Sequence, residues 1–150
     1  MASERDIRRL AFQALFQMDA QGGEAVSLVE WLDSTEHGAE YSEKHKREAV
    51  ATAAAAYAAR EAADKAIAEL APSWPAHRQA AVDRSILRLA YFEMHRGTVP
   101  PKIVVNDAVE LAKEFSNDRS PAFVNGVLDK VLKSLPAADK APEPSDDVAE

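Results

Sequence analysis

Apolar residues recur at spacings of three and four along most of this chain, the period of an α-helix, not the alternation of a strand. Ile7, Leu10, Ala11, Ala14, Leu15 and Met18 predict a first helix over about Glu4–Ala20, ended by Gln21-Gly22-Gly23. Leu28, Trp31 and Leu32 predict a short helix over Ser27–Leu32, and the polar stretch Ser34–Ser42 reads as loop. From Glu43 to Leu70 the pattern fits one long helix or two in tandem. Its alanine-rich half gives high helix propensity and close helix approach, with Val50, Tyr57, Ile67 and Leu70 as the larger anchors. Pro72-Ser73-Trp74-Pro75 marks the main internal boundary.

Beyond it, the stretch Val82–Met94 organises the rest. Ile86, Leu89, Ala90 and Glu93 share one helical line, and Leu87, Tyr91 and Met94 an adjacent one. That apolar surface is too wide for a helix packed on one side only, so other helices should surround it. Gly97 and Val99-Pro100-Pro101 end it, because proline lacks a donor and biases its predecessor away from helix. Helical spacing resumes over Lys102–Phe115, and Ser120-Pro121 reads as an N-cap followed by the first position of a last helix through Leu132. The expectation is an all-α fold: a helical region over 1–135 with bundles at about 4–71 and 74–134, then a disordered tail over 136–150.

Composition narrows the chemistry. With 150 residues the chain can bury a core unaided, and with no cysteine it holds no disulfide or thiolate metal site, which suits a reducing compartment. No apolar run is long enough to span a bilayer, and the charged amino terminus is unlike a signal peptide, so a cytoplasmic protein is expected. Five glycines leave no phosphate loop. His37, His45, His77 and His95 lack metal-ligand spacing, and Asp83 and Glu93 sit roughly 15 Å apart on one helix, too far for an acid–base pair. Neither an enzyme nor a cofactor or metal site is expected.

The net charge of −7 argues against a nucleic-acid partner until its distribution is considered. Asp139, Glu143, Asp146, Asp147 and Glu150 crowd the tail against Lys140 alone, whereas Arg78, Arg84, Arg88, Arg96 and Lys102 outnumber Asp83 and Glu93 between Trp74 and Lys102. Arg84 and Arg88, four apart, give the central helix a basic edge. On the first helix, Arg5, Arg9, Phe12 and Phe16 form a line with Arg8 beside it. Arginines interleaved with rings suit single-stranded RNA, the guanidinium groups meeting phosphates and the rings unstacked bases. The plainer alternative makes Phe12 and Phe16 core and the arginines a solvated face. Asp107, Glu110 and Lys113 read as a solvated face or a protein interface, and Asn125-Gly126 as close helix packing with a buried polar contact.

Four blocks carry a family resemblance. Arg8-Arg9-Leu10-Ala11-Phe12-Gln13-Ala14-Leu15-Phe16-Gln17 resembles the opening helix of the bacterial transcription antitermination factor NusB family. Val82 to Met94, Val99-Pro100-Pro101-Lys102 with Val105 to Lys113, and Phe123-Val124-Asn125-Gly126-Val127-Leu128-Asp129-Lys130 are similar to its later blocks, in order. The resemblance implies two packed helical bundles. It further implies binding of boxA RNA together with NusE, a small-subunit ribosomal protein, in a complex with RNA polymerase, NusA and NusG on ribosomal RNA operons. By it Arg5, Arg8, Arg9, Phe16, Arg88 and Phe123 fall at RNA-facing positions, joined by Arg84 from the basic edge. Asp83 falls at a partner-facing position, with Glu110 and Lys113 as further partner-facing candidates. Glu4 and Asp6 dilute the basic segment relative to the family. Self-association into a homodimer stays open. The competing readings are a protein-only helical scaffold and a relic of an rRNA methyltransferase accessory domain, the latter disfavoured by the lack of a catalytic domain.

Overall fold

Ser3 starts the first helix with a capping box. Its hydroxyl accepts from the Asp6 N–H at 3.1 Å, and Asp6 accepts from the Ser3 N–H at 2.9 Å. That backbone donor holds the Asp6 carboxyl below its usual range. The acid that dilutes the basic segment therefore anchors the helix carrying it.

The computed structural model describes residues 3–23, 28–36 and 38–136, and these fold into α-helices without a strand. They are α1 (Glu4–Ala20), α2 (Leu28–Asp33), α3 (Glu43–Ala58), α4 (Arg60–Leu70), α5 (Ala81–Arg96), α6 (Pro101–Phe115) and α7 (Ser120–Ser134), with 3-10 turns at Gly38–Glu40 and Ala76–Arg78. The class is the all-α one read from the pattern. The acidic stretch 137–150, expected to be disordered, lies outside the described residues, as does His37.

α5 is the centre, contacting α1, α3, α4, α6 and α7. Ile86, Leu87, Leu89, Ala90 and Met94 are all buried, so its apolar residues point in several directions because a helix waits in each. Gly97 closes it at φ 77°, a left-handed conformation that glycine adopts without a Cβ penalty. α1 and α3 approach through Ala11, Ala14, Ala49, Ala53 and Ala56, all at or below 1% exposure.

The Glu43–Leu70 stretch is two helices, broken at Ala59. α4 packs more on α5 and α7 than on α3, so the packing changes sides at Ala59, ahead of the Pro72–Pro75 segment. Two local expectations need correction. Ser120 does not cap α7; it is the helix's first residue, and its hydroxyl donates to Asp83. Asn125 and Gly126 are exposed, with open space where a Gly126 Cβ would stand, because that face of α7 has no neighbouring helix.

Candidate nucleic-acid interface

The basic residues singled out from the sequence divide into two groups. Arg8 is interior, its side chain 4% exposed. Its Nε donates to Glu93 at 2.6 Å, and its guanidinium also pairs with Asp107. Arg5, more than half exposed, donates to the same Asp107 at 3.0 Å, and Arg96 reaches Glu93 at 3.4 Å. This ring of charges locks α1 to α5 and α6. Asp107, expected on a solvated face, is buried because two arginines need its carboxylate.

A second cluster replaces the basic edge expected at Arg84 and Arg88. Arg88 is buried and grips Asp64 of α4 through two nitrogens at 2.9 and 2.7 Å, with Asp19 of α1 at 3.3 Å. Arg84, half-buried, donates to Asp19 at 2.9 Å. Burial pushes the Asp19 carboxyl up, but the two guanidinium groups outweigh it and leave it below its ordinary range. Arg84 and Arg88 do share a face, and it is turned inward on α1 and α4.

Asp83 sits in the first turn of α5, where the helix dipole favours an acid. It is 7% exposed, and its two oxygens accept from Ser116 at 2.8 Å and Ser120 at 2.9 Å. It thus ties the start of α5 to the turn between α6 and α7. Glu110 and Lys113 are exposed on α6 and paired with each other at 3.0 Å. Glu110 also lines a small cleft with Arg5, Arg8 and Arg9.

What reaches the surface forms a strip across three helix ends. Arg9 lies 3.2 Å from Glu114 of α6. Phe12 is core, 5.0 Å from Phe115 between ring centres, so the plainer reading holds for it; Phe16, 6.4 Å from Phe12, is half-buried. From Phe115 the strip continues over Ser116 and Asn117 to an open depression of about 360 Å³. Trp74, Arg78, Asp83, Arg119 and Phe123 line it. Trp74 is 49% exposed and meets Phe123 edge-on at 6.0 Å, while the Arg78 guanidinium lies 6.0 Å from the indole. Sequence reasoning counted Trp74 and Arg78 but did not place them at a site. Their i, i+4 spacing beside a proline boundary was the available signal.

The structure therefore leaves Arg9, Phe16 and Phe123 partly open to solvent, sets Asp83 in the wall of the depression, holds Arg8, Arg84 and Arg88 in ion pairs between helices, and exposes Glu110 and Lys113 on α6. Among the described residues no group of histidines and acids could hold a metal ion, and no helix is long and apolar enough to cross a membrane.

The described residues thus form an all-helical protein that carries rings and arginines at its surface. The NusB family profile matches residues 5–133, and the chain belongs to that family of transcription antitermination proteins, which are not enzymes. It is 39% identical to the transcription antitermination protein NusB of Geotalea daltonii, across 91% of this chain and 98% of that one. NusB of T. maritima superposes with TM-score 0.78 at 30% identity, covering 93% of this chain and 98% of that one. A structure described as a plectonemic RNA supercoil matches at TM-score 0.77 and 26% identity, over 89% of this chain and 96% of its own.

Proposed function

We propose that this protein is an RNA-binding antitermination factor that takes boxA-type RNA together with NusE and promotes processive transcription of ribosomal RNA operons in the cytoplasm. It does so in a complex with RNA polymerase, NusA and NusG. The observation that carries the reading is the depression, where an exposed indole, a half-buried phenyl ring and two exposed arginines line one opening. A solved structure with the same fold whose description names RNA supports it.

Arg5, Arg9, Phe16 and Phe123 are the RNA contacts expected from the sequence, and Trp74, Arg78 and Arg119 join them. Arg8, Arg84 and Arg88 act from behind, fixing α1 and α5 so that the surface keeps its shape. Asp83 does the same for the α6–α7 turn, and it borders the partner surface assigned to NusE with Glu110 and Lys113. Because several arginines already hold carboxylates, NusE supplies part of the phosphate contacts.

The test is boxA RNA binding with and without NusE at two salt concentrations. Salt-sensitive binding that tightens markedly with NusE is expected. Absence of RNA binding in both mixtures overturns the reading and leaves a helical scaffold.

A further inference from the structure

Trp74 and Arg78 are built on a closed turn. The Trp74 N–H donates to the Ala71 carbonyl at 3.0 Å, the Arg78 N–H to the Pro75 carbonyl at 2.8 Å, and the Gln79 amide to the Trp74 carbonyl at 2.8 Å. The turn includes the 3-10 segment Ala76–Arg78 and places both side chains in the lining of the depression at the head of α7. There the Arg78 guanidinium stands over the indole, 6.0 Å from its centre. Elsewhere in the molecule such a pair is shut. Arg60 lies 3.9 Å from the centre of the Tyr57 ring and also donates to the Tyr57 carbonyl at 2.9 Å. The Trp74–Arg78 pair is ajar by comparison. A flat ring touching both sides of a slot needs about 7 Å, two layers of about 3.5 Å each. Arg78 is exposed and enters no ion pair among the described residues, so nothing holds it against that small opening.

The rest of the lining suits the other parts of a nucleotide. Phe123 meets the indole edge-on, with 6.0 Å and 70° between the rings, and walls the slot at one side. Arg119 is exposed in the same opening, and its guanidinium enters no ion pair among the described residues. Asp83, the acid of the lining, has both oxygens engaged by Ser116 and Ser120. Asn117 turns its Oδ1 to the Arg119 N–H at 2.9 Å and the Ser120 hydroxyl at 3.2 Å, which leaves its NH2 group as an unused donor. A volume of about 360 Å³ is at the lower end of small-molecule sites, roughly 300–1,000 Å³, and suits one nucleotide better than several.

We propose that the depression is a clamp for a single nucleotide, with the base between the Trp74 indole and the Arg78 guanidinium and the phosphate on Arg119. Both faces of the base are covered, so only an unstacked nucleotide enters, and a duplex is refused. Asn117 donates to an acceptor on the base edge. The nucleotide is one unit of an RNA strand or a free nucleoside monophosphate, which share this chemistry. The clamp deepens the RNA reading and, for RNA as the source, rests on it.

The test follows the Trp74 indole N–H in proton–nitrogen correlation spectra of the full chain, told apart from that of Trp31 by its loss in Trp74→Leu. The probe is guanosine monophosphate, since a purine offers the larger stacked area. It should shift the Trp74 resonance with a Kd on the order of 1 mM, the weak affinity that one base and one phosphate support. Guanosine and ribose 5-phosphate should each bind several-fold more weakly. Arg119→Gln should bring the monophosphate down to the affinity of guanosine and leave guanosine unchanged. Arg78→Lys keeps the charge and loses the planar stack, so it should weaken both several-fold. A resonance unmoved up to about 10 mM monophosphate overturns the clamp. So does ribose 5-phosphate binding as tightly as the monophosphate, or Arg78→Lys binding it as well as arginine does. Added boxA RNA separates the sources. RNA that displaces the monophosphate from Trp74 makes the occupant a nucleotide of the strand; RNA that binds while the monophosphate stays makes it a free nucleotide, and both results support the clamp. If RNA binds neither with NusE nor without it, the functional reading falls, while the monophosphate titration still decides the clamp.

Discussion

Two groups of arginines on this molecule look alike in sequence and differ entirely in the fold. Arg8 and Arg88 stand in a helical pattern with apolar neighbours, as surface bases on amphipathic helices do, yet each is buried and held by carboxylates from other helices. Arg78 and Arg119 lie in the connections between helices and remain exposed beside an indole and a phenyl ring. The difference is made by acids far away in the chain. Arg8 meets Glu93 and Asp107, and Arg88 meets Asp64. Once desolvated, a guanidinium has to be paired. The lesson is that availability to RNA is decided by the partner acids and not by the basic residues.

The largest effect expected from this contrast is on stability. Arg8→Met leaves Glu93 and Asp107 without their interior partner, and breaking one side of a buried pair costs about 3–5 kcal/mol. Urea unfolding checks it, and a loss below about 1 kcal/mol would show the ring to be ornamental. Next come the rings. Trp74→Ala and Phe123→Ala should each weaken RNA binding by about 1–3 kcal/mol if a base stacks there, with a larger loss of binding than of stability. Titrations of labelled boxA RNA with NusE present read this directly.

A smaller and pH-dependent effect belongs to Asp19. Its folded pKa is depressed, so its pairing with Arg84 and Arg88 stabilises the protein fully above the ordinary value of 3.8 and is lost as pH falls below that through the folded value. Asp19→Asn should cost about 1.5–3 kcal/mol near neutral pH, the range for hydrogen bonds to charged groups, and flatten the acid limb of stability against pH. An unchanged limb would mean that other carboxylates control acid unfolding. The smallest effect is expected at Arg78→Gln and Arg119→Gln. Each should change stability by under about 0.5 kcal/mol, while lowering the salt slope of RNA binding by about one unit. Should either destabilise the protein as much as Arg8→Met is expected to, the division between the two groups collapses.

Helix positions were readable in the sequence wherever burial imposes a period. α1 runs over the residues its apolar spacing marks, and the central place of α5 followed from apolar residues facing several ways. What could not be read were relations across the chain. The apolar spacing of α5 cannot reveal that Glu93 carries a buried charge whose counterpart is Arg8, since the two lie far apart in sequence. Ser120 looks like a cap because caps are local, and its hydroxyl is taken by Asp83 from another helix. Gly126 looks like a packing residue only until the empty space beside it is known. Trp74 was legible as a boundary residue, but its ring partner lies in α7.

The two charged fasteners on α1 have a consequence for how that helix can vary. Arg8 engages Glu93 near one end and Asp19 engages Arg84 and Arg88 near the other, so α1 works as a measuring rod of roughly 16 Å between them. Inserting one residue between these points would turn Asp19 by about 100° and advance it 1.5 Å, taking it out of reach of both arginines. Substitutions in the rod can be absorbed singly, but its length is quantised. Only insertions of close to whole turns, matched by an equal change in α5, would keep both ends in phase.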